Sequence, residues 1–488
     1  GVNPIDDYAL LDEVTALVER PNVLICEFEK QFLDVPQECL ILTMKANQKY
    51  FPLLDASNKL TNKFLVVSNI RPIDASFVVG GNERVVRPRL ADAKFFFDQD
   101  RKKTLESRVA GLDKVVYHNK LGTQGERMER VRAIAAAIGL QLGGEVLAKQ
   151  AATAARLAKT DLLTDMVGEF PELQGIMGGY YARHDGLTED IAFAIEDHYK
   201  PRFAGDELPR NQVGMVVALA DKLETLVGMF GIGNLPTGDK DPFALRRHAL
   251  GVIRILISEK YRIGLDNLLL ISARSLWANQ VRAKDPNLTF DVAYSDWSLN
   301  KLWSHIKSRF GQGSNVGTEV DVASFIYDRF AGTLREQGYS AQEVDAVISQ
   351  RPQHLAEVPK RLAAVRAFAA LPEAPALAAA NKRVGNILKK AEGVVEATVN
   401  AALLQPGEEK ALYDAITSIA PHAEKLWANG QYAENLQALA ALKGPVDAFF
   451  DKVMVNAEDP AIRANRLGLL ATLHQAMNRV ADLSKLAA

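Results

Sequence analysis

The residues best placed to do chemistry cluster between Arg156 and Asp185, in RLAKTDLLTDMVGEFPELQGIMGGYYARHD. Leu157, Leu162, Leu163, Met166 and Val167 have the spacing of one buried helix face, and Asp161, Asp165 and Glu169 are distributed around it. The pattern predicts a core helix carrying unusual acids. Gly168 and Pro171 end it, and Gly175, Gly178 and Gly179 loosen the backbone ahead of Tyr180, Tyr181 and the pair His184-Asp185. Imidazole and carboxylate held together are donors for a divalent metal, with partner carboxylates orienting the rings. A second chemistry is phosphate binding. In NKRVGNILKKA the pairs Lys382-Arg383 and Lys389-Lys390 stand seven residues apart, two turns along one helix face, which suits a phosphate backbone. A plain charged solvent face is the competing reading. In GIGNLPTGDKDPFALRRHALGVIRIL, Asp241 caps a helix with Pro242 in its first turn, and the loop amides with Arg246, Arg247 and Arg254 could hold a phosphate.

Several elements must position these groups. Asp7 to Glu19 has helical periodicity and stops at Pro21. VLICEF, ECLILTM, YFPLLDA and KFLVVSNI then read as short strands of a small sheet, separated by polar turns. Within MKANQKYFPL, Lys45, Gln48 and Lys49 lie beside Tyr50 and Phe51, a mixture able to touch phosphate and stack on bases, or simply a solvated turn entering a strand. At Gly80-Gly81-Asn82 the pattern becomes helical and basic, with Arg84, Arg87, Arg89, Lys94, Arg101, Lys102 and Lys103, and with Phe95, Phe96 and Phe97 as an apolar anchor. An amphipathic helix over 127–138 leads to a turn at Gly143-Gly144. The helix over 190–203 places His198 near its C-terminus, where a protonated ring favours the dipole. VGMVVALADKLETLVGMF is apolar nearly all round, so Asp221 and Lys222 in its middle need partners. Trp277, Trp297 and Trp303, with loops at 284–286 and 311–317, read as a linker or insertion; helices flank Gly338, Ser340 caps the second, and 360–370 is a basic amphipathic helix. Residues 376–488, rich in alanine and leucine, read as an all-helical bundle.

The length of 488 residues exceeds one usual hydrophobic core, so two to four domains are expected. The net charge of −2 gives no overall attraction to nucleic acid, so any RNA binding must come from local basic faces. Cys26 and Cys39 stand in no metal-ligand spacing, which fits a reducing compartment, and no long apolar run or leader pattern appears. A cytoplasmic chain without a membrane partner is expected. No Walker-type GxxxxGK[ST] is found.

Two resemblances add to this reading. The central helices resemble an HD-type domain, whose metal ligands would fall on His118 in VVYHNKLG, on the pair ending in Asp161, and on Asp221 in ALADKLETL. Thr160 stands where that family's pair has histidine, so the resemblance implies a degenerate site without metal. KTDLLTDMVGEFPELQGIMGGYYA, GNERVVRPRLADAKFFFDQD, YHNKLGTQGERMERV and KDPFALRRHALGVIRIL together resemble the beta subunit of the bacterial two-subunit glycyl-tRNA synthetase, in order and over nearly the whole chain. FFDKVMVNAEDPAIRANRLGLLATLHQAMNRVADL resembles the helical anticodon-binding domain of arginyl-tRNA synthetase, with Phe449, Phe450, Val453, Val455, Leu467, Leu470 and Leu473 as core.

The fold implied is mainly α with a small α+β N-terminal part, an HD-like helical domain and a C-terminal anticodon-binding bundle. The divisions are 1–80, the remainder of an editing-like module; 81–260, HD-like; 261–375, a helical linker or insertion; and 376–488, anticodon-binding. The resemblance implies a chain shorter than its family at the N-terminus that binds and orients glycine tRNA, tRNA(Gly), beside an alpha subunit in an alpha2beta2 hetero-oligomer. The alpha subunit would carry the aminoacylation centre with ATP and Mg, leaving this chain no catalytic residue and no cofactor. Candidate RNA contacts are Lys382, Arg383, Lys389, Lys390, Arg463, Arg466, Arg479, Arg246 and Arg247. From other classes come a metal-dependent HD phosphohydrolase using His118, Asp161, His184, Asp185 and Asp221, and a helical scaffold without RNA affinity.

Overall fold

Short extended runs near the N-terminus pair into an antiparallel sheet in the order β1-β3-β4-β2. Its parts are β1 (Asn3–Pro4), α1 (Tyr8–Leu17), β2 (Asn22–Glu27), α2 (Gln37–Gln48), β3 (Phe51–Leu54) and β4 (Leu60–Ser68). The computed structural model describes residues 1–284 and 318–487, with the backbone alone over 277–284 and 318–321. Leu10, Val14 and Phe51 form a small core on the side of the sheet covered by α1. The ECLILTM run is not a strand: it lies in α2, which buries Cys39, Leu40, Thr43 and Met44 at helical spacing. Lys49 ends that helix in the left-handed region, and Lys45 and Lys49 pair with Asp7 and Glu13.

α3 (Ala75–Asp100) starts before Gly80, because the Asp74 carboxylate accepts from the Ser76 amide and caps it there. Among its basic residues Arg87 pairs with Glu29, while Lys94 and Arg101 share Asp98. Phe97 is buried and Phe95 exposed. Next come α4 (Leu105–Arg108), a two-stranded ribbon of β5 (Val116–His118) and β6 (Gly122–Thr123), and α5 (Gln124–Leu157). Non-helical angles at Gly143 and Gly144 break α5 where the glycine pair predicts a turn. A Cβ on Gly139 would come within 3.0 Å of the Ala148 Cα, so the two halves fold back closely on each other.

The single core helix expected over 157–167 is instead a series of short turns. A 3₁₀ turn over Thr160–Leu163 leads to α6 (Asp165–Glu169), and after a second 3₁₀ turn comes α7 (Ile176–His184). Side chains take the amides that a continuous helix would use: the buried Asp100 carboxylate accepts from the amides of Asp165 and Met166, and Thr164 caps α6. Gly178 and Gly179 lie inside α7, which packs on α8 (Glu189–Asp197), and His184 is its last residue rather than part of a loop. α9 (Gln212–Gly231) is buried along its length, as its composition predicts.

Contacts divide the described chain into two units. One holds 1–228 and the described part of 271–290; the other holds 229–270 and the described residues from 318 onward. These boundaries differ from the sequence divisions at 80, 260 and 375. Further along are α10 (Leu245–Ser258), α11 (Leu265–Lys284), α12 (Thr318–Glu336), α13 (Ala341–Ile348), α14 (Val358–Ala369) and α15 (Ala374–Lys390). α16 (Glu408–Ala428), α17 (Tyr432–Leu439), α18 (Lys443–Lys452) and α19 (Pro460–Met477) complete the order. Gly338 separates α12 from α13 at a φ of 94°, and Ser340 with Glu343 forms the capping box of α13. In the terminal bundle Phe449, Leu470 and Leu473 are fully buried, as is Leu469, while Phe450, Val453, Val455 and Leu467 are half-buried. Trp297, Trp303 and the loops at 285–286 and 311–317 lie outside the described residues, and only the backbone of Trp277 is described.

Candidate functional site

Of the HD-like residues, Asp221 meets cations. Arg127 enters α5 on the same face as Arg130, Val131 and Ile134, so both arginines are carried into the core with the apolar stripe. Arg127 Nη1 lies 2.9 Å from Asp221 Oδ1, and Lys159 Nζ lies 3.4 Å from the same oxygen. Glu224, one turn beyond Asp221 on α9, receives Arg127 and Arg130 at 2.8 Å each. Burial alone would raise the Asp221 carboxyl, but Arg127, Lys159, His198 and Lys222 hold it well below the usual range. The cations carry their own penalty: burial pulls Lys159 and Lys222 down to about 8 despite Asp221.

Thr160 turns away from metal chemistry, its hydroxyl donating to the Leu157 carbonyl at 2.6 Å. Asp161 Oδ2 accepts from the Gly175 amide at 2.6 Å and the Gly178 amide at 3.0 Å, while its buried Oδ1 has no hydrogen-bond partner among the described residues. Burial raises this carboxyl to about 6 against those two bonds. The Nδ1 of His118, on β5, accepts from the Lys120 amide at 3.1 Å. Asp185 accepts from the Leu105 amide at 2.7 Å, holding the start of α4, and His184 is exposed. His198 is not a protonated helix-end residue: it is buried, and burial with Lys159 nearby keeps its ring neutral. No group of three or more His, Cys, Asp or Glu able to hold a metal occurs among the described residues. A divalent ion does not fit here, because Arg127 and Lys159 already supply positive charge at Asp221. The hydrolase reading is not favoured.

The candidate RNA contacts divide by what already holds them. Lys382, Arg383, Lys389 and Lys390 are exposed along α15. Arg383 stacks on Phe450 with its guanidinium 4.3 Å from the ring centre. Lys382, Lys389 and Lys390 form no ion pair among the described residues. Lys382, Arg383, Asn386 and Lys390 border a groove of about 400 Å³. Arg463, on α19, is likewise exposed. Arg466 is committed elsewhere, bonding the buried Glu409 at 2.8 Å and the Met454 carbonyl at 2.7 Å. Arg479 pairs with Glu424 at 2.6 Å and lies 5.2 Å from the Trp427 ring centre.

The expected phosphate cradle at Arg246 and Arg247 is already filled from within. The Asp241 carboxylate accepts from the amides of Leu245 and Arg246 at 2.8 and 3.0 Å, and Arg246 donates to the Gly238 carbonyl. Asp241 does cap α10, though from a loop preceding Ala244, whose φ is 55°. Only Arg247 is left exposed there. The basic helix at 360–370 is spent in the same way, with Arg361 buried against Trp427 and Tyr432 and Arg366 bound to Glu343.

Sequence reasoning missed Arg127, Arg130, Lys159, Glu224 and Asp100. Arg127 and Arg130 carried a signal, since their spacing to Val131 and Ile134 puts them on the buried stripe; Glu224 sits one turn from Asp221. Lys159 and Asp100 had no comparable signal.

Two family models match successive parts of the chain. Residues 1–349 match the family model described as glycyl-tRNA synthetase beta subunit, and residues 377–486 match the DALR anticodon binding domain. Curated relatives named glycine–tRNA ligase beta subunit are 68% identical in Delftia acidovorans, 69% in Dechloromonas aromatica and 65% in Thiobacillus denitrificans. Each alignment covers the whole of this chain, which spans 64–65% of the relatives' own length.

Proposed function

Because the chain belongs to the glycyl-tRNA synthetase beta subunit family, we propose that it is the tRNA-holding part of a two-subunit glycine–tRNA ligase. The assembled enzyme joins glycine to glycine tRNA with ATP, and the alpha subunit carries that centre with its ATP and Mg. This chain contributes orientation rather than chemistry: fixing the tRNA lets a bimolecular encounter proceed as an effectively intramolecular one. It works in the cytoplasm, in an alpha2beta2 hetero-oligomer.

The observation that carries this reading is the α15 strip. Lys382, Lys389 and Lys390 are exposed and unspent within the segment matching the anticodon-binding model, whereas Arg466, Arg246 and Arg366 are held by their own chain. Cations free of internal partners can release counterions when they meet phosphate. Lys389→Glu combined with Lys390→Glu is expected to weaken glycine tRNA binding and to lower the slope of log affinity against log salt by about 2, one per contact. Unchanged affinity and slope would remove this face from the interface.

A further inference from the structure

α3 is packed on one side only. Val86, Leu90, Ala93 and Phe97 recur at helical spacing and are buried, with β2, α2 and α6 against that side. On the opposite side Phe77, Gly81, Val85, Pro88, Ala91 and Phe95 follow one another in steps of three and four residues and form a second apolar stripe. Phe77 is 79% exposed, Val85 46% and Phe95 58%. From Phe77 to Phe95 the stripe runs about 27 Å along the helix. Ile70 and Ile73, in the segment leading into α3, are exposed as well. A contiguous apolar face of this length marks a place where another molecule sits.

The composition of the face selects the kind of molecule. Subunit interfaces are enriched in aromatic residues and arginine and depleted in lysine. The exposed cations of this stretch are Arg84, Arg87 and Arg89, while Lys94 is half-buried and tied to Asp98. Arg87 is held by Glu29. Arg84 and Arg89 flank the stripe on its two sides and form no ion pair among the described residues. Asp92 is the exposed acid of the stretch, so unspent positive charge exceeds negative. A helix with an apolar centre and carboxylates along its edges complements such a face. An RNA backbone would satisfy the two arginines and leave the apolar centre uncovered, unlike on α15, where the exposed cations are mostly lysines.

Two backbone features admit a close approach. A Cβ on Gly81 would meet nothing within 4 Å, so the face is open there. Pro88 has no N–H to give, so the Arg84 carbonyl lacks its usual helical donor and can accept one from a partner.

We propose that this face of α3 is where the alpha subunit docks, through an amphipathic helix whose apolar side chains cover Phe77, Val85 and Phe95 and whose carboxylates meet Arg84 and Arg89. The inference rests on the reading above that the chain works beside an alpha subunit, and it deepens that reading by giving the contact a place and a chemistry.

The test titrates the whole chain with its purified alpha subunit at two salt concentrations. Two double variants are compared with the unaltered chain: Phe77→Glu with Phe95→Glu, and Arg84→Glu with Arg89→Glu. All four side chains are exposed, so the urea midpoints of both variants are expected to match that of the unaltered chain. The phenylalanine pair is expected to weaken alpha binding about a hundredfold. The arginine pair is expected to slow association and to remove its salt dependence. Equal alpha binding by all three chains would overturn the docking site and leave the functional reading standing; no alpha binding by the unaltered chain would overturn both. With alpha affinity unchanged, loss of glycine tRNA affinity in the variants would make RNA the occupant. With alpha affinity unchanged, dimers of the unaltered chain that the phenylalanine pair abolishes would make a second copy the occupant. Either result overturns the proposal.

Discussion

Asp161 and Asp221 are both fully buried carboxylates, and their neighbours send them in opposite directions. Asp221 is met by Arg127 and Lys159 and stays ionised. Asp161 is met by two glycine amides through one oxygen only, and burial lifts it from 3.8 to about 6. The folded chain therefore holds the Asp161 proton more tightly than the unfolded chain does. Stability from this proton is complete below about pH 4 and is lost as pH rises through about 6, a change of about 3 kcal/mol. Asp161→Asn keeps an oxygen for Gly175 and Gly178, so it should flatten that part of the stability profile in urea titrations between pH 4 and pH 6, to about the stated extent; an unaltered slope would contradict the assignment. Asp221→Asn should instead cost about 3–5 kcal/mol at pH 7, since Arg127 and Lys159 are left buried with less countercharge. A loss below about 1 kcal/mol in the same titration would show that Glu224 alone suffices. The candidate acids were visible in the sequence because they interrupt apolar periodicity. Their partners were less so, because an ion pair across about a hundred residues, such as Arg127 with Glu224, leaves no local mark.

At the scale of elements, periodicity was a good guide where a stripe was long. The buried helix around Asp221, the break at Gly143-Gly144 and the cap at Ser340 follow directly from spacing and turn chemistry. It failed where a run was short: ECLILTM satisfies strand and helix patterns alike, and burial of Cys39, Leu40, Thr43 and Met44 on α2 decided it. The central stretch failed for another reason. Asp100, Asp161 and Thr164 bind backbone amides and substitute for helix hydrogen bonds, an outcome set by tertiary contacts. Gly178 shows how tightly that arrangement is fitted, since a Cβ there would stand 2.7 Å from Ile195 Cγ2 and 3.1 Å from Asp161 Oδ2. Gly178→Ala is thus expected to destabilise by about 1–3 kcal/mol. Gly179→Ala meets the movable Glu196 side chain at 3.3 Å and should cost less. Equal midpoints in urea for the two variants would contradict this account of α7.

For the whole molecule, a net charge of −2 means that nucleic-acid affinity must arise from a local arrangement of unspent cations. The sequence offered a candidate for such an arrangement on α15, in two basic pairs seven residues apart, and it equally offered arginines that the fold consumes. Arg466 is one of these, so Arg466→Ala should lower stability, by leaving Glu409 buried and unpaired, while leaving the salt slope of RNA binding unchanged. Lys390→Ala should do the reverse, reducing the slope by about 1 with little loss of stability. The most direct measurement is a titration of this chain with glycine tRNA and with an unrelated tRNA of similar length, each at two salt concentrations. Selective binding to glycine tRNA that weakens steeply with salt is the result expected of a chain that holds its tRNA through the terminal bundle. Weak binding to both, insensitive to salt, would contradict that claim.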